Sequence, residues 1–201
     1  MSLLSTAILI DNMYVQHCAE FFEVGRLDPR KYTKMLLHQN EEHYMTYIFD
    51  ALPFVPRENA TERQLELRKS KNSYLDALQY YERIKVELGY VRPKFTKCYN
   101  CKTDFFVPVQ KLVDVKLSVR LVSLAWSGVV KKIVLVSGDG DLIPAVQAID
   151  GSEAIVRLEY VDEAGAGINT SKGLIKICPE KHRLTKEDFL KAIFEKDEKQ
   201  T

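Results

Sequence analysis

A chain of 201 residues, 46% hydrophobic and 28% charged with a formal net charge of +1, can close a full core as one domain. No segment approaches the ~20 apolar residues of a membrane span, and Leu3 to Ile10 is too short and lacks the basic flank of a signal peptide. A membrane protein and a secreted one are therefore set aside, and a cytoplasmic location is the expectation. Four cysteines are too few for a disulfide framework and point instead to reduced thiols or a metal site. The charge is unevenly spread: residues 57–120 hold 14 Lys or Arg against 8 Asp or Glu, while the flanking stretches sum to −3 and −2.

Strands and helices alternate along the chain. Residues 4–10 read as a strand, 13–24 and 29–39 as helices, and His43 to Leu52 as a second strand bearing Tyr44, Tyr47, Ile48 and Phe49, ended by Pro53 and Pro56. A long helix is expected from about Glu62 to Leu88, with Leu75, Leu78, Ile84 and Leu88 inward and Gly89 as its stop. A strand follows from Tyr90, then a helix over 111–127 closed by Gly128, a strand at 132–137, a helix at 142–149, a strand at 154–161 and a helix around 169–177. Thr185, with Asp188 three residues on, opens a terminal helix. The βα alternation argues for a mainly parallel sheet with helices on both faces. The expected organisation is one domain over 1–180, with a hairpin insertion around 95–107 and a helical extension over 181–201.

Two loops carry the chemistry. Ser137-Gly138-Asp139-Gly140-Asp141 follows the apolar run Ile133 to Val136, and Asp11-Asn12 follows Ala7 to Ile10. In open α/β sheets ligands bind beyond the carboxyl ends of strands. Neighbouring parallel strands would place Asp11, Asp139 and Asp141 on one rim, where their mutual repulsion calls for a hard cation. Glycines at 138 and 140 would let the backbone turn tightly and leave room for a ligand. The plainer alternative is that Asp11 and Asp139 cap the helices that follow.

Ile8 to Asn12, Lys111-Leu112-Val113-Asp114-Val115-Lys116-Leu117 and Val134 to Asp141 resemble, in order and spacing, the signature of the NYN domains of the LabA type, relatives of the PIN nucleases. The likeness extends more loosely through Tyr47 to Phe54 and Tyr74 to Arg92. It implies a PIN-like three-layer α/β/α sandwich whose acidic cluster binds Mg²⁺ or Mn²⁺ and cleaves RNA, single-stranded or structured. By position the cluster is Asp11, Asp114, Asp139 and Asp141, supported by Asn12 and Ser137. Divalent ions held by such carboxylates can stabilise the charges that develop in phosphodiester hydrolysis, with no protein nucleophile. One departure stands out: the family's helix pattern has a further Asp six residues after the position of Asp114, and here that residue is Arg120. Two readings follow, an active ribonuclease with Arg120 on the substrate phosphate, or a nucleic-acid-binding or regulatory domain with a weakened site. A phosphotransfer or nucleotide-binding α/β domain would also fit the acidic rim, but the sequence lacks the Gly-rich loop with its lysine that such a domain requires.

Lys94, Lys97, Lys111, Lys116 and Arg120 are the candidates for phosphate contacts, because they cluster around the strand and helix that should frame the crevice. Cys98-Tyr99-Asn100-Cys101 lies between two β-like segments, Tyr90 to Lys97 and Asp104 to Val107. Two thiolates at this spacing supply half of a tetrahedral zinc site, and Cys178 with His182 could supply the rest. Zinc shared across a homodimer and two reduced thiols in a hairpin remain open beside that reading.

Overall fold

The computed structural model describes residues 3–163 and 168–194, and all statements of structure below concern those residues. A seven-stranded sheet runs through the molecule in the order β4-β3-β2-β1-β5-β6-β7. The strands are β1 (Leu4–Asp11), β2 (Glu41–Ala51), β3 (Ile84–Lys97), β4 (Asp104–Lys111), β5 (Lys132–Val136), β6 (Ile155–Tyr160) and β7 (Glu180–Arg183). Every neighbouring pair is parallel except β3 and β4. The central strands read as unbroken apolar runs because both of their faces are covered. Ala7, Leu9, Ile133 and Leu135 face one core, with Leu117 and Leu121 of α4 (Val113–Trp126) and Leu174 of α6 (Lys172–Ile177). Ile8, Ile10, Val134 and Val136 face the other, with Cys18 of α1 (Asn12–Phe21), Leu36 of α2 (Pro29–Leu36), Leu75 and Leu78 of α3 (Glu62–Leu78) and Phe189 of α7 (Lys186–Lys191). A short α5 (Ile143–Gln147) joins the first layer. The result is the expected three-layer α/β/α sandwich on a mainly parallel sheet.

Three local expectations are corrected. The helix expected to run to Leu88 ends at Leu78, and Ile84 and Leu88 belong to β3, paired with Thr46 and Asp50 of β2. Ile84, Val86 and Leu88 alternate, which is strand periodicity appended to helical periodicity, and Arg83 at φ 59° makes the corner between them. Gly89 is not a helix stop. A Cβ there would lie 2.5 Å from the Lys111 carbonyl and 2.6 Å from Val113, so glycine lets the end of β4 cross close over β3. Residues 181–183, expected at the start of a helical extension, belong with Glu180 to β7, paired with β6. Phe189 of α7 is buried with Phe22 and Tyr32, ring centroids 5.3 and 5.9 Å away, so residues 180–194 share the sheet and the core of the rest. The end of the expected extension, 195–201, lies outside the described residues. No helix among the described residues is long and apolar enough to cross a membrane.

Candidate active site

β1 and β5 are parallel neighbours with Ile10 beside Val136, so the chain leaves both strands at the same rim and brings Asp11 next to Ser137. Asp11 caps α1 by accepting a hydrogen bond from the Tyr14 amide at 3.2 Å, and the Ser137 hydroxyl stands 3.5 Å from its other oxygen. Ser137 accepts from the Asp139 amide at 3.2 Å, and the Asp139 carboxylate accepts from the Asp141 amide at 2.9 Å, capping the short 3₁₀ turn Gly140–Leu142. Capping and rim placement therefore coexist. Asp114 arrives from the first turn of α4, immediately after Leu112, whose φ of 68° is the left-handed region that non-glycine residues seldom occupy.

The four acids feel one another. Burial pushes the Asp11 carboxyl up to about 6, opposed by the Tyr14 amide and reinforced by the charges of Asp114 and Asp139. Burial likewise raises Asp114, with Asp139 and Asp141 adding to the effect. Among the described residues none of the four makes an ion pair with a Lys, Arg or His. The donor set, all carboxylate oxygen and of one charge, suits a hard divalent cation. Among the same residues no three His, Cys, Asp or Glu side chains are gathered closely enough to enclose an ion.

The glycines serve packing rather than an open approach. A Cβ on Gly138 would stand 2.6 Å from the Tyr14 ring, and one on Gly140 would stand 2.9 Å from the Ser171 hydroxyl. Tyr14 is held in turn by its hydroxyl, which accepts from the Val161 amide at 2.7 Å and shares a 3.0 Å hydrogen bond with Thr170. Tyr14, Asp139 and Ser171 line a cleft of about 400 Å³ beside the acids.

The sequence reading passed over Asp50. It is the penultimate residue of β2 on the same rim, is 2% exposed, takes the Lys71 ammonium at 2.6 Å and accepts from the Asn12 side-chain amide. Lys71 also donates to Gln16 at 3.1 Å. Asn12 therefore braces the turn after Asp11 through Asp50, and this network forms part of the wall of a second cleft of about 990 Å³ between α1, α3 and the β3–β4 ribbon. The missed signal is an acid at the carboxyl end of an apolar strand, the criterion that singles out Asp11.

The basic candidates are divided by the fold. Arg120 does not face the acids: its guanidinium makes a hydrogen-bonded ion pair with Glu87 of β3 and lies 4.7 Å over the Tyr47 ring. The Lys116 ammonium donates to the Leu88 carbonyl at 2.8 Å. Lys111 closes β4 one residue before Leu112, whereas Lys94 and Lys97 stand on the outer part of the ribbon, Lys97 with its ammonium 4.0 Å from Asp104. Cys98 and Cys101 occupy the ribbon's tip beyond β3, while Cys178 is buried in the core just before β7 and His182 shares a 2.8 Å hydrogen bond with Glu159. β4 and β7 are opposite edges of the sheet, six strand spacings or roughly 29 Å apart. Cys178 and His182 thus cannot complete a zinc site with Cys98 and Cys101 of the same chain.

Fold and rim together define a PIN-like α/β/α protein with acids at the carboxyl ends of its central strands. The profile of the NYN domain matches residues 5–180, so the chain belongs to the NYN domain family, a group of PIN-like nucleases. Among solved structures, a protein of unknown function from Vibrio parahaemolyticus, VPA0982, is similar over 93% of this chain and 96% of its own at 19% identity, with a TM-score of 0.52. That likeness concerns the fold alone. No curated protein matches the chain.

Proposed function

We propose that the chain is a metal-dependent endoribonuclease acting in the cytoplasm. The observation that carries this reading is a rim to which β1, the loop after β5 and the first turn of α4 bring Asp11, Asp139, Asp141 and Asp114, none of them in an ion pair among the described residues. A divalent cation, Mg²⁺ or Mn²⁺, would supply stabilisation of charge on the reacting phosphoryl oxygens and acidification of the attacking water. The chain's own work is positional. Asp11, Asp114, Asp139 and Asp141 would form the acidic rim, one or two of them meeting the ion directly and the others through water or substrate, while Ser137 orients Asp11 and the Asp139 loop and the Asn12–Asp50–Lys71 network keeps the turn after Asp11 in place. Lys111, next to the strained Leu112 and one turn from Asp114, is the candidate best placed for the substrate backbone. The free cysteines accord with a reducing compartment.

The test is cleavage of labelled single-stranded and structured RNA with Mn²⁺ or Mg²⁺, beside Asp139→Asn and an EDTA control. Metal-dependent cutting lost in the variant supports the proposal. Salt-sensitive RNA binding without cutting overturns it and makes the chain a binding module. Arg120→Ala supplies a second check. Because Arg120 is engaged by Glu87 and Tyr47, its removal is expected to leave cleavage within about twofold of wild type, as for a substitution away from the chemistry. A tenfold or greater change would return Arg120 to the site.

A further inference from the structure

The outer half of β3 has a single neighbour. Ile84 to Gly89 pair with β2, but Tyr90 to Lys97 pair with β4 alone, so a two-stranded ribbon extends past the edge of β2 and carries Cys98 and Cys101 at its end. Its turn is tightly held. The Cys98 amide donates to the Thr103 carbonyl at 2.9 Å, the Lys102 amide donates to the Cys98 carbonyl at 3.0 Å, and Lys102 takes φ 60° to close the loop. Both thiols are free, Cys98 half-buried and Cys101 exposed.

We infer that Cys98 and Cys101 are half of a tetrathiolate zinc site that is completed by the same pair from a second copy of this chain, joining two molecules tip to tip. Two thiolates separated by two residues on a tight turn match one side of a structural zinc tetrahedron, and such sites close with four protein ligands. The same chain has no thiol to add, because Cys18 and Cys178 are buried in the two cores flanking the sheet. A twofold axis through the ion supplies the missing pair with identical geometry. A redox role suits the pair less, since it lacks the helix N-terminus that activates thiols in redox Cys-x-x-Cys motifs.

The surroundings fit a shared ion. Four thiolates around Zn²⁺ leave a charge of about −2, and each tip brings Lys97, 4.0 Å from Asp104, and Lys102, with its ammonium 4.8 Å over the Tyr99 ring, a net positive charge per tip. Two such basic tips repel each other unless the anionic centre lies between them. Phe95 and Tyr99 stand 78% and 87% exposed on the same ribbon and would lose water contact on pairing. Nothing here depends on the nuclease reading.

The chain is purified under reductant, loaded with zinc or treated with EDTA, and compared with the double variant Cys98→Ser/Cys101→Ser. The readouts are bound zinc by elemental analysis and mass by light scattering. Wild type is expected to hold half a zinc per chain more than the variant, and to be a dimer of about 46 kDa, twice the 23.1 kDa chain, that EDTA returns to monomer. Cobalt substitution should give the charge-transfer and visible bands of tetrahedral tetrathiolate coordination. The variant should be monomeric and melt as the EDTA-treated wild type does, because the tip lies outside both cores. A monomer holding one zinc per chain at the pair, equal zinc in wild type and variant, a dimer indifferent to EDTA, or an intramolecular Cys98–Cys101 disulfide in the reduced preparation overturns the inference.

Discussion

Asp11→Asn is expected to lower metal-dependent cleavage by at least about 100-fold, more than the 10- to 100-fold loss typical of altering outer-shell partners of a metal ligand. The same variant should make the metal-free protein more stable. The folded Asp11 carboxyl titrates at about 6 against an ordinary 3.8, so between those values the folded state holds a proton that the unfolded state has released. Stability contributed by this group is complete below pH 3.8 and is lost as pH rises through 6. The shift corresponds to at most about 3 kcal/mol, and solvent at the rim reduces the expected gain to roughly 1–2 kcal/mol. Asparagine removes the charge while keeping an oxygen to accept from the Tyr14 amide, so the α1 cap survives. In EDTA at pH 7.5 the variant should melt above wild type, and the gap should close as pH falls towards 4. Added Mn²⁺ should raise the wild type and leave the variant nearly unmoved. A variant less stable than wild type at every pH would show that Asp11 holds the fold together rather than a cation.

Such an exchange of stability for chemistry explains which parts of this protein are visible in a bare sequence. β1 and β5 are legible because burial on both faces leaves runs such as Ala7 to Ile10 and Ile133 to Val136. Their terminal acids are legible because a carboxylate at that point needs a reason. The α3 boundary is harder, since Leu75, Leu78, Ile84 and Leu88 pass from helical to strand spacing with no proline between them. Nor does β7 announce itself: Glu-Lys-His-Arg is polar throughout, and only its register beside Arg157 to Tyr160 makes it a strand. Asp50 and Lys71 are 21 positions apart and meet only when α3 lies across β2. Arg120 shows the reverse limit. Its place in the chain suggested a contact with a substrate phosphate at the acidic rim, yet Glu87 and Tyr47, on separate strands, hold it elsewhere.

Arg157→Met should be the most damaging single change away from the acidic rim. The Arg157 side chain, 3% exposed, pairs with Glu41, donates from Nε to Glu159 at 2.7 Å, and donates from Nη2 to the Leu36 carbonyl. It ties β6 to the start of β2 and the end of α2, reaching past β1 and β5, which lie between them. Methionine fills much of the volume but leaves two carboxylates buried without their cation, a situation that costs about 3–5 kcal/mol. The pH response follows from Glu41. Burial raises its carboxyl, but the hydrogen bonds of Arg157 and the His38 amide outweigh burial and hold it below the ordinary 4.5. Wild type therefore keeps this contribution above about pH 4.5 and loses it as pH falls through the lowered value. The variant should behave oppositely, since buried Glu41 and Glu159, left with the His38 amide and His182 but no arginine, take up protons more readily. Chemical denaturation is expected to show the largest deficit at neutral pH and a smaller one near pH 5. Adding Glu41→Gln and Glu159→Gln to Arg157→Met should recover part of the loss, because the uncompensated charge, not the missing volume, is the main cost. A deficit independent of pH and unrelieved by the two glutamines would assign the role of Arg157 to packing instead.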